Sequence, residues 1–147
     1  SALLDKRIYA ECISDMVHVH PYAVRLLYQV KGPRRIILIS DGVATTGLAD
    51  GEYTNCEETV LVRNGQSRSP EGNLTGGTYP LAGCVRAAAA HGIPAVDALR
   101  MASITPRRFL GLRGSGAQPG ESALMTCLNA QLEPVLTVVG PRTYPAA

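Results

Sequence analysis

The octapeptide Arg35-Ile36-Ile37-Leu38-Ile39-Ser40-Asp41-Gly42 limits the fold more than any other stretch of the chain. Its apolar run has the length of a strand, is rich in β-branched residues and closes on an acid and a glycine. A strand this uniformly apolar must be covered on both faces, which is how strands sit in the parallel sheets of α/β proteins. In such folds the carboxyl ends of the strands carry the chemistry, and Asp41 stands at that end. A carboxylate there can move protons or hold a metal, or it can simply cap the following turn. The octapeptide by itself is compatible with both.

The remaining composition suits one domain. Of 147 residues 46% are hydrophobic, enough to build a core. The 14 basic and 12 acidic residues leave a formal charge of +2 without a basic block, which argues against nucleic acid as a partner and keeps small ligands open. Cys12, Cys56, Cys84 and Cys127 lie too far apart for a metal or redox pair and read as reduced, mostly packed thiols. Neither a secretory leader nor an apolar run of membrane length is visible, so the expectation is a cytoplasmic protein with no membrane partner.

Around the octapeptide the elements alternate. Residues 1–7 are polar, and residues 8–13 read as a short strand that runs into Ser14-Asp15-Met16-Val17-His18-Val19-His20-Pro21. If the extension continued, His18 and His20 would point the same way and could share an ion. Two imidazoles do not close a coordination shell, however, and no carboxylate partner for either is evident nearby. From Pro21 to Val30 the apolar spacing is helical, with proline in the first turn and Gly32 past the end. Strand, helix and strand make a βαβ unit with a parallel pair.

Beyond Asp41 a turn-rich loop leads to strands at 52–54 and 59–63, the latter closed by the hairpin signal Asn64-Gly65. This predicts an antiparallel insertion. Residues 72–78 form a glycine-dense loop whose backbone N–H groups could cradle an anion, without the lysine and spacing of a P-loop. An alanine-rich helix is expected over 81–91 and another over 95–102. Thr105 reads as an N-cap with Pro106 in the first helical position, starting a helix over 107–112. After a loop from Gly114 to Gly120, residues 123–128 and 135–139 read as two strands.

Three stretches taken together, Asp15 to Pro21, Ser40-Asp41-Gly42-Val43-Ala44-Thr45-Thr46-Gly47-Leu48 and Asp50-Gly51-Glu52-Tyr53, resemble the N-acetylglucosamine-6-phosphate deacetylases of the amidohydrolase superfamily. The likeness continues through Val62-Arg63-Asn64-Gly65, Gly72-Asn73-Leu74-Thr75-Gly76 and residues 98–106 to the closing strands. Met16 stands where that family usually has glycine, and Gly42 where it often has alanine.

The resemblance implies the C-terminal part of a metal-dependent (β/α)8 barrel over residues 1–112, with the insertion at 52–69, and closing strands of a small β-sandwich over 113–147. It implies that Asp41 is the general base and acid, and that Asp15, Met16, Val17 and His18 meet the substrate, with His18 polarising its carbonyl. Leu74, Thr75 and Gly76 would offer backbone contacts to the sugar phosphate. The family's divalent metal, zinc or iron, takes its ligands from earlier strands, so none is expected in this chain and His20 is not one. The expected function is removal of the acetyl group from N-acetylglucosamine-6-phosphate, with the isolated chain inactive. A fold retained without catalysis, or action on another amide, are the alternatives. Open strand edges at both ends of the barrel portion predict a homo-oligomer.

Overall fold

The computed structural model describes residues 2–55, 58–114 and 117–146. Strand β1 (Ala10–Ile13), helix α1 (Pro21–Lys31) and strand β2 (Ile36–Ile39) form the expected βαβ unit. The two strands pair in parallel, with Ala10 opposite Ile36 and Ile13 opposite Ile39. Both faces of β2 are covered, since Ile36, Ile37 and Leu38 are 2%, 5% and 2% exposed. The limits of α1 follow from its ends. Pro21 occupies the first turn, and Gly32 terminates the helix at φ 72° with its N–H donating to the Tyr28 carbonyl.

The expected insertion is a four-stranded antiparallel sheet of β3 (Gly51–Asn55), β4 (Glu58–Arg63), β5 (Gln66–Arg68) and β6 (Leu74–Gly76), in sequence order. Asn64 and Gly65 both take positive φ, 51° and 71°, between β4 and β5, as a tight hairpin with the twist of its strands requires. The segment read as a glycine-dense loop is partly strand: Leu74 pairs with Arg68 and Gly76 with Ser67. Part of its backbone is therefore committed to β5 rather than free to cradle an anion.

Helices α2 (Leu81–Ala90), α3 (Ala95–Ala102) and α4 (Ile104–Phe109) follow. The last starts earlier than the sequence suggests. Its N-cap is Ser103, and buried Thr105 instead donates its hydroxyl to the Pro33 carbonyl at 2.8 Å. Cys12, Ile36 and Leu38 pack with Val24 of α1, Val85 and Ala88 of α2, and Ala98 and Met101 of α3 as one core. Cys12 and Cys84 are buried thiols and Cys127 is exposed, whereas Cys56 lies outside the described residues. Burial pushes the Cys84 thiol up to about 11.

The chain ends in an antiparallel meander of β7 (Leu124–Leu128), β8 (Pro134–Val139) and β9 (Arg142–Pro145). Sequence reading expects the first two strands and misses the third. A groove of about 690 Å³ separates this sheet from the helices, lined by Val85, Leu99, Ile104, Leu110, Leu124 and Leu128 among others. No described helix is long and apolar enough to cross a membrane.

Candidate functional site

The ends of β1 and β2 bring Asp15, His18 and Asp41 together. The extension that would align His18 with His20 stops at Ile13, because Asp15 turns the chain. Its Oδ1 accepts hydrogen bonds from the backbone N–H of Val17 at 2.9 Å and of His18 at 3.0 Å, an Asx turn built from the residue's own short side chain. Met16 takes φ 65° in this turn, the left-handed conformation that glycine adopts at little cost. His20 leaves the site altogether: it caps α1, and its Nδ1 accepts the Tyr22 N–H at 3.3 Å.

The turn does for His18 what the linear sequence does not reveal. Asp15 Oδ2 lies 2.7 Å from His18 Nδ1, with the two side chains 2% and 16% exposed. Burial pushes the Asp15 carboxyl up, but the two backbone N–H groups and His18 more than offset this and hold it below the ordinary carboxylate value. Asp15 is thus an ionised acceptor at neutral pH. On the other side of the ring, His18 Nε2 lies 3.6 Å from Asp41 Oδ2.

Asp41 leaves β2 at φ 51°, a left-handed conformation that aspartate tolerates better than most residues. Its side chain is 50% exposed, so it can reach a solvent-borne ligand. Backbone contacts from the insertion fix it. Gly77 donates its N–H to the Asp41 carbonyl at 2.7 Å, and Gly42 and Gly77 form an isolated parallel bridge. Only glycine permits this approach: a Cβ on Gly77 would lie 2.0 Å from the Ser40 carbonyl oxygen, and one on Gly76 would lie 2.4 Å from Val43 Cγ1.

Side chains reinforce the same junction. The Thr46 hydroxyl accepts the Val43 N–H at 2.9 Å and donates to the Gly77 carbonyl at 2.8 Å. Behind it a chain of hydroxyls runs from buried Thr45 to buried Ser67 at 3.1 Å and on to half-buried Thr75 at 2.8 Å. Leu74, Thr75 and Gly76 are therefore held on an edge strand whose end abuts Asp41. The doublet Gly76-Gly77 is a signal for a close backbone approach that the reading of residues 72–78 as an anion-cradling loop missed, because its partner lies far away along the chain.

No described group of three or more His, Cys, Asp or Glu side chains could hold a metal ion. Asp15, His18 and Asp41 can orient a ring, present a nitrogen and exchange a proton, but they do not make a metal centre.

No family model matches the chain. A protein of Escherichia coli K12, provisionally named an N-acetylgalactosamine-6-phosphate deacetylase, is 36% identical over 135 residues, covering 90% of this chain and 80% of that protein. The N-acetylgalactosamine-6-phosphate deacetylase of E. coli O157:H7 is also 36% identical over 135 residues, 90% of this chain but 36% of that protein. Among solved structures, a mutant N-acetyl-D-glucosamine-6-phosphate deacetylase of Mycobacterium smegmatis, in complex with N-acetyl-D-glucosamine-6-phosphate, superposes with a TM-score of 0.84 at 32% identity. That match covers 97% of this chain and 39% of the other. The chain thus spans well under half of these two longer relatives.

Proposed function

We propose, since the chain belongs to the N-acetylglucosamine-6-phosphate deacetylase family, that the complete protein carrying this sequence hydrolyses the acetamide of N-acetylglucosamine-6-phosphate in the cytoplasm. Asp41 takes a proton from the attacking water, whose oxygen bonds to the acetyl carbon. The carbon–nitrogen bond breaks, and Asp41 returns the proton to the departing amine, giving acetate and glucosamine-6-phosphate. His18 contacts the substrate carbonyl. Leu74, Thr75 and Gly76 contact the sugar phosphate, and Met16 and Val17 form the adjoining wall. The divalent ion of the complete enzyme belongs to ligands outside these residues, and the isolated 147-residue chain is accordingly inactive.

One observation carries this reading: a half-exposed carboxylate at the end of β2 faces an imidazole from the end of β1. The division into a barrel portion, residues 1–112, and a sandwich portion, residues 113–147, belongs to the same proposal. A second substrate has specific support, because both E. coli relatives are named for the galactosamine epimer. Turnover of both sugar phosphates by the complete protein tests the proposal. Asp41→Asn keeps the shape and removes the proton acceptor, so kcat is expected to fall by roughly 10²–10⁴. Near-normal turnover by that variant would leave Asp41 a turn residue, and no turnover of either sugar by the unmodified protein would favour a non-catalytic role.

A further inference from the structure

We propose that Asp15 is a positioning residue rather than a substrate contact: it holds His18 as the Nδ1–H tautomer and turns Nε2 toward Asp41. The inference rests on the proposed reaction only in taking His18 as a group that meets substrate. Both oxygens of Asp15 are already used. Oδ1 accepts the N–H groups of Val17 and His18, and Oδ2 lies 2.7 Å from Nδ1, on a side chain 2% exposed. A buried ionised carboxylate only accepts, so the proton between Oδ2 and Nδ1 sits on the ring.

This has a chemical consequence for the carbonyl contact. In the neutral ring Nε2 then carries a lone pair, which can accept a hydrogen bond but cannot polarise a carbonyl. His18 becomes a donor at Nε2 only by taking up a proton there, and the resulting charge lies against the Asp15 carboxylate. Asp15 therefore determines which of two opposite roles His18 can play.

An isosteric substitution reverses the tautomer. In Asp15→Asn the single amide oxygen is drawn to the two backbone N–H groups, which only an oxygen can satisfy. The amide nitrogen is left facing Nδ1, which must then accept, and the ring proton moves to Nε2. Imidazole ¹⁵N resonances of this chain, measured where the rings are neutral, report the change directly. The other two histidines serve as internal references. His20 Nδ1 accepts from Tyr22, giving the Nε2–H form, and His91 Nδ1 lies 2.8 Å from the Ala87 carbonyl oxygen, giving the Nδ1–H form. Expected are an unmodified protein in which His18 matches His91 and an Asp15→Asn protein in which it matches His20, with the Val17 and His18 amide signals retained. An Nε2–H signature for His18 in the unmodified protein would overturn the proposal, whether or not the variant folds. So would an unchanged tautomer in a folded variant. Because the readout is a nitrogen shift, loss of the deacetylase reading would leave this result standing.

Discussion

At Gly77 one methyl group would be enough to disturb the site. A Cβ there meets the Ser40 carbonyl oxygen at 2.0 Å, and the backbone fixes the positions of both atoms, so no rotamer change can move either aside. Gly77→Ala is expected to destabilise the fold by about 1–3 kcal/mol, the usual cost of overpacking, and to displace Asp41, whose carbonyl accepts the Gly77 N–H. Denaturant midpoints of the two proteins measure the first effect; a midpoint unchanged within error would mean that the junction yields. Asp41 itself was legible, because a carboxylate at the end of an apolar run is visible without a fold. The pairing of Asp15 with His18 was not. In extended chain, residues three apart face opposite ways, so a histidine without a carboxylate partner was the natural expectation. The Asx turn reverses that geometry by using Asp15's own Oδ1 to bend the backbone.

Among the elements, α1 does more than link two strands. Its last residue, Lys31, is 5% exposed, and its Nζ donates to the carbonyls of Ala2, Asp5 and Ile8. All three of its N–H donors thus fasten the turns that precede β1 to the end of the helix. Lys31→Met keeps much of the apolar stem but removes the donors, at an expected cost of roughly 1–3 kcal/mol. Amide exchange should quicken in residues 2–8 while α2 and α3 stay protected; uniform exchange across the chain would show instead that the segment is no separate unit. The helices with proline at the start and glycine at the end could be bounded from sequence. Helix α4 was misplaced because Thr105 has the chemistry of a cap and spends it on Pro33. Strands β6 and β9 were missed for another reason: Leu-Thr-Gly and Arg-Thr-Tyr-Pro have no apolar alternation, and only their neighbours, β5 and β8, make them strands.

In the molecule as a whole, β1 and β2 form a sheet of two strands, with α1, α2 and α3 contributing to the core against it. Unpaired backbone along such edges is a template for further strands. Leu4, Tyr22, Val96, Phe109 and Leu110, each more than half exposed, add apolar surface. We expect the isolated chain to self-associate, and sedimentation across a dilution series checks it: a monomer at every concentration, unfolding cooperatively, would refute the expectation. The proposed barrel and sandwich rest on the resemblance and not on pattern, since a sheet's closure depends on strands that a local sequence does not contain. One contact bears on how such a protein could change over evolutionary time. The strand proposed to read the sugar is followed directly by Gly77, whose N–H grips the carbonyl of the proposed proton acceptor. Lineages that remodel this insertion for a new sugar inherit a mechanical coupling to the reaction centre, so selectivity and turnover would drift together, and viable exchanges should be those that carry the glycine pair intact.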